Sequence, residues 1–138
     1  AKSCAIKATI VEQDENEKDL RTILNFGHTF GHTYESLTNY AKYRHGEAVA
    51  MGMVEATKFA QNKGLANPEI INRLTNLLLQ VKLQIKPTED FSPLELMEII
   101  KHDKKNQAGC IQLILPQQLG KVKKILVKPK EIEAYLER

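Results

Sequence analysis

The chain has 138 residues, 42% apolar and 27% charged, with a formal charge of +3, the balance of one globular domain able to bury a core. That small positive excess, scattered and without interleaved aromatics, excludes a nucleic-acid surface and leaves the lysine runs near 101–105 and 121–130 as solvated faces. No apolar run approaches the ~20 residues of a membrane span, and the only cysteines, Cys4 and Cys110, make no disulfide framework or CxxC pair, so both read as small buried residues of a cytoplasmic protein.

The first residues, AKSCAIKATIVEQDE, lack the apolar core and cleavage site of a signal peptide. They begin mid-pattern and without Met, which suggests a piece of a longer protein. AIKATIV, residues 5–11, reads as β-rich or extended. EQDENEKD then suits the first turn of a helix, where the dipole favours negative charge, and one long helix is expected from about 16 to 39. NYAKYR is a loop, and a second helix runs from about His45 to Lys63, stopped by Gly64. Asn67-Pro68-Glu69 opens a third, which Lys86-Pro87 breaks. Ser92-Pro93-Leu94-Glu95 is a capping box for LELMEIIKH. CIQLILP and VKKILV, joined across QQLGK, make one β-hairpin, and PKEIEAYLER is a closing helix with proline at its start. The fold class expected is mainly α with one small hairpin.

Chemistry concentrates in the first long helix. At about 100° per residue, Arg21, Asn25, His28, His32 and Glu35 fall within about 40° either side of one line. Ile23, Phe26, Phe30, Tyr34 and Leu37 take the opposite face, so the apolar stripe is complete without the histidines. A strip meeting only water would carry Lys and Glu. Gly27 and Gly31 flank it, each costing a helix roughly 1 kcal/mol relative to alanine, which points to a close approach by a neighbouring helix or a bound molecule. His28 and His32, at i and i+4, suit a metal pair, although the H-E-x-x-H pattern of zinc proteases is absent because Thr29 follows His28. In RHGEAVAMGMV, His45 opens the second helix, where the dipole disfavours imidazolium and keeps the ring able to ligate a metal. It would serve equally as a polar cap. Glu47, in the same turn, is placed to orient a ring or a bound water. Gly46 and Gly52 suggest tight packing against the first helix.

Three segments together carry a resemblance: KATIVEQDENEKDLRTILNFGHTFGHTYE, RHGEAVAMGMV, and HDKKN followed by a G-x-I-x-L-I-L-P strand. With His28 and His45 at a spacing of 17, the chain resembles the 3-dehydroquinate synthase family over essentially its whole length. The match is to the helical C-terminal domain of that dehydroquinate synthase-like fold.

The resemblance implies a shikimate-pathway lyase that converts 3-deoxy-D-arabino-heptulosonate 7-phosphate to 3-dehydroquinate and phosphate. It implies catalytic NAD, a divalent metal (Zn2+ or Co2+), a homodimer, and an N-terminal NAD-binding α/β domain that is absent from these residues. It pairs His28 with His45 as metal ligands, beside a glutamate from the missing part. It gives proton transfer to His32 and substrate binding to Lys7, Arg21, Asn25, Lys104 and Lys105, with no choice between the last two. On this reading the chain alone is inactive. The alternatives are another sugar phosphate cyclase, a metal-dependent alcohol dehydrogenase of the glycerol dehydrogenase type, which has no need of the cationic binders, and a non-enzymatic helical module.

Overall fold

The computed structural model describes residues 2–14, 20–103, 106 and 108–138. Helix α1 spans Lys2–Gln13 and a 3-10 helix spans Leu20–Asn25; α2 is His28–Leu37, α3 His45–Asn62, α4 Glu69–Gln80 and α5 Pro93–Lys101. Strands β1, Ile111–Gln118, and β2, Lys121–Val127, precede α6, Pro129–Leu136. The mainly helical class with one antiparallel hairpin is what the sequence led us to expect. No helix among the described residues is long and apolar enough to cross a membrane.

The first two expectations along the chain are corrected. Residues 5–11 are helical, inside α1, not extended. Their β-branched side chains prefer a strand only where a partner strand covers them. The one sheet among the described residues is the hairpin of β1 and β2, which residues 5–11 do not join. Ile6 and Ile10 stand instead at the i, i+4 spacing of a helix, and Cys4, expected to be buried, is exposed on it.

The long helix from 16 to 39 does not exist as one element. Positions 16–19 lie outside the described residues, 20–25 wind as a 3-10 helix, and the chain breaks at Gly27, whose φ of 81° is left-handed. Gly27 is therefore not a glycine tolerated within a helix but the hinge before α2, a conformation that residues with a Cβ seldom adopt.

Downstream, the start signals read as written, and one stop signal does not. Asn67 Oδ1 accepts from Glu69 N at 2.9 Å, capping α4. That helix ends at Gln80, earlier than the proline: Lys82 takes a φ of 60° and Leu83 N donates to Leu78 O, a Schellman-type stop. Ser92 and Glu95 form the expected capping box. In the hairpin, Ile111 pairs with Val127 and Leu113 with Ile125, while Gly120 turns the chain at a φ of 76°.

The core gathers around α3. Phe30 and Tyr34 of α2, Met51 and Phe59 of α3, Met97 and Ile100 of α5, Leu113 and Leu115 of β1, and Ile132 of α6 form one apolar cluster. Helix α3 is central because it is almost wholly built of small and apolar residues, from Ala48 to Ala60, and can be buried on most sides. Lys121, Lys123 and Lys124 of β2 are exposed, the solvated face expected of them.

Candidate metal centre

Helices α2 and α3 meet through glycine. A Cβ on Gly31 would lie 3.0 Å from Ala48 O and from the Cα of Val49. One on Gly27 would lie 2.7 Å from Val49 O, and one on Gly52 would collide with the carbonyl oxygen of Gly27 and sit 2.6 Å from Gly31 N. These glycines answer to a neighbouring helix, one of the two close approaches the sequence suggested. Gly46 does not share this role, since among the described residues nothing lies within 4 Å of the position its Cβ would take.

The close packing sets Gly27 and Gly31 against residues 49–53 and leaves the start of α3 facing Glu35, so that three histidine rings meet along the seam of the two helices. His28 is the first residue of α2, His32 stands one turn on, and His45 is the first residue of α3. The ring centroids lie 5.4 Å apart for His28 and His32, 5.3 Å for His28 and His45, and 5.7 Å for His32 and His45. A ring nitrogen from each falls within 4.8 Å of the others. The helical wheel suggested His28 with His32, and the family resemblance suggested His28 with His45; the structure brings all three rings together.

The loop between the helices sets this arrangement. Asn39 and Tyr40 both take left-handed backbone, with φ of 52° and 56°, and Tyr40 N donates to Glu35 O at 2.7 Å. Buried Tyr43 anchors the loop from the other side, its hydroxyl donating to Glu89 and accepting from Thr88 N at 3.0 Å. His45 follows two residues on. Its Nδ1 lies 3.1 Å and 3.3 Å from the carboxylate oxygens of Glu35. Glu47, expected to orient a ring or a water, has its carboxylate on Arg44 N at 2.8 Å, where it caps α3.

Three imidazoles are borderline donors suited to zinc or cobalt. Nitrogens around a tetrahedral ion at about 2.1 Å lie roughly 3.4 Å apart, so small ring rotations suffice to bring the set onto one ion. The site thus fits a transition-metal ion. Beside it, a cavity of about 370 Å³ is lined by His32, Thr29, Ser36, Tyr40, His102 and Asp103, among others. The segment that carries the expected lysines therefore starts at this cavity, although Lys104 and Lys105 themselves lie outside the described residues.

The remaining expected site residues are less concentrated. Arg21 and Asn25 sit half-buried on the 3-10 helix, before the break at Gly27, so the straight strip that joined them to the histidines holds only for His28, His32 and Glu35. Arg21 N donates to Asp14 Oδ2 at 3.0 Å, and Asn25 lines a small gap with Gly27, Thr29 and Leu113. Lys7 stands exposed on α1.

Comparison with known proteins agrees with the fold and the motifs. The sequence pattern described as 3-dehydroquinate synthase C-terminal matches residues 1–106. A 3-dehydroquinate synthase of Thermoanaerobacter sp. (strain X514) is 47% identical over 133 residues, which are 95% of this chain and 36% of that protein. One from Geotalea uraniireducens (strain Rf4) is 45% identical over 119 residues, 86% of this chain and 33% of that protein. The chain spans about a third of the length of these relatives.

Among solved structures, 2-deoxy-scyllo-inosose synthase complexed with carbaglucose-6-phosphate, NAD+ and Co2+ superposes with a TM-score of 0.80 at 24% identity, covering 96% of this chain and 39% of that one. The 2-epi-5-epi-valiolone synthase of Streptomyces hygroscopicus subsp. jinggangensis 5008, with NAD+ and Zn2+ bound, superposes with a TM-score of 0.71 at 23% identity, over 94% of this chain and 36% of that one. At such identity the likeness is one of fold. Sequence pattern, close relatives and fold coincide, and the chain belongs to the 3-dehydroquinate synthase C-terminal family.

Proposed function

We propose that this chain is the metal- and substrate-binding part of a 3-dehydroquinate synthase, a phosphate-eliminating lyase acting on 3-deoxy-D-arabino-heptulosonate 7-phosphate. The observation that carries the reading is the convergence of His28, His32 and His45 from two packed helices. His28 and His45 would hold a zinc or cobalt ion, completed by a carboxylate from the part of the relatives that this chain does not span. When bound, the ion supplies Lewis acidity toward a substrate hydroxyl.

In this reading the protein's own residues bind, orient and exchange protons. His32, one turn from His28 and lining the cavity that Asp103 also lines, is placed to exchange a proton with a substrate held there. Arg21 and Asn25, with Lys7 and the lysines after Asp103, supply the cations and donors that a carboxylate and a phosphate require. NAD would be held largely by the remaining part of the protein, and the isolated chain is expected to show no turnover.

A second reading rests on the near-equal spacing of the three rings. In the chain by itself, His32 would complete a three-imidazole set. Zinc titration of alanine variants, followed by chelator competition, separates the two. His28→Ala and His45→Ala should each abolish tight binding. His32→Ala should retain it under the first reading, with loss of rate in the full-length enzyme, and lose it under the second. Tight zinc retained by both His28→Ala and His45→Ala would overturn the metal assignment.

A further inference from the structure

The carboxylate of Glu35 occupies an unusual position. Its side chain is 8% exposed, while the ring it faces, His45, is 59% exposed. A buried carboxylate is expensive unless it is paired and hydrogen-bonded, yet among the described residues no lysine or arginine bridges it, and each of its carboxylate oxygens faces His45 Nδ1. The backbone of the same residue closes the loop leading to His45, through Tyr40 N and the Thr38 hydroxyl. Glu35 thus grips both ends of the segment that delivers the ring.

We infer that Glu35 is the positioning residue of the metal centre: its carboxylate accepts the Nδ1 proton of His45 and so fixes one tautomer, with Nε2 as the free ligand atom. An exposed imidazole can otherwise rotate and exchange tautomers, and only one combination directs a lone pair toward His28. A carboxylate behind a metal-bound histidine orients the ring and raises its basicity. The assignment rests on the reading of His28 and His45 as ligands, and it gives Glu35 the part that the sequence offered to Glu47, whose carboxylate is engaged in capping α3.

Two measurements test it. In wild-type protein without metal, long-range proton–nitrogen spectra of the His45 ring should report the Nδ1–H tautomer; an Nε2–H ring would overturn the inference without recourse to any variant. Glu35→Gln keeps the shape and an acceptor but removes the charge. It should lower zinc affinity about 10–100-fold and mix the His45 tautomers. Wild-type affinity in Glu35→Gln, with His28→Ala and His45→Ala both impaired, would sink the positioning role while leaving the ligand assignment standing. Unimpaired binding in those two alanine variants would instead remove the ligand assignment itself.

Discussion

Gly52 sits where no side chain fits. The atoms a Cβ would strike, Gly27 O and Gly31 N, are backbone on the opposing helix, so no rotamer change can relieve the clash. Gly52→Ala should therefore destabilise the protein by about 3 kcal/mol, the upper end of overpacking costs, and weaken zinc binding by parting α2 from α3. Gly46 is the control, because no described residue lies within 4 Å of where its Cβ would stand, in the first turn of the same helix. Gly46→Ala should stabilise by about 0.5 kcal/mol, since only the entropic penalty of glycine is removed. Urea unfolding midpoints of the two variants check both signs.

At this scale the sequence was informative about which residues matter but not about how they are joined. The crowding of His28, His32 and two glycines into a few residues marked a site. What it could not reveal was that Gly27 is left-handed, because a glycine inside a helix and one that ends it look alike in a linear pattern. Glu35 lay on the predicted strip, yet its partner ring arrives from another helix, a contact that no local periodicity encodes.

Among the elements, α5 shows most directly how a short motif becomes stability. Glu95 accepts from Ser92 N at 2.8 Å and from the Ser92 hydroxyl at 2.6 Å, and Ser92 Oγ accepts from Glu95 N at 3.3 Å. The Ser92 hydroxyl, and then its backbone N–H, hold the Glu95 carboxyl below the usual carboxylate range. A depressed folded value means that this contribution is present above the ordinary value and lost as pH falls through the depressed one. Ser92→Ala should return Glu95 toward its ordinary range and fray the start of α5 near neutral pH. Its deficit in thermal midpoint should shrink as pH drops through the acid range, whereas a deficit independent of pH would show that the carboxylate is not involved. Capping boxes of this kind were legible because every participant lies within four residues. The helical state of α1 was not, because the strand preference of its β-branched residues depends on a neighbour that the fold does not supply.

At the scale of the whole fold, α6 is fastened to the central helix. Tyr135 Oη donates to Glu55 Oε1 at 2.7 Å, fastening α6 to α3 across 80 residues, and its ring packs edge-on against buried Phe59. Burial, and then Glu55, push the Tyr135 phenol well above its ordinary value. With the folded value raised, the contribution is fully present below about pH 10 and is lost as pH rises from there. Tyr135→Phe leaves Glu55 without that donor and should cost about 1–2 kcal/mol, read as a lower urea midpoint at neutral pH. The difference from wild type should narrow in alkaline solution.

The sequence by itself determined the helical class, the hairpin, most caps and the family, because these are written in short spacings and in a motif whose residue types leave little freedom. Only the tertiary structure decided that the glycines form a helix–helix contact, that three imidazoles share one locality, and that Glu35 rather than Glu47 faces the ring of His45. The physical reason is the same in each case: such features depend on the distance between elements remote along the chain, and that distance is set by how side chains pack around α3.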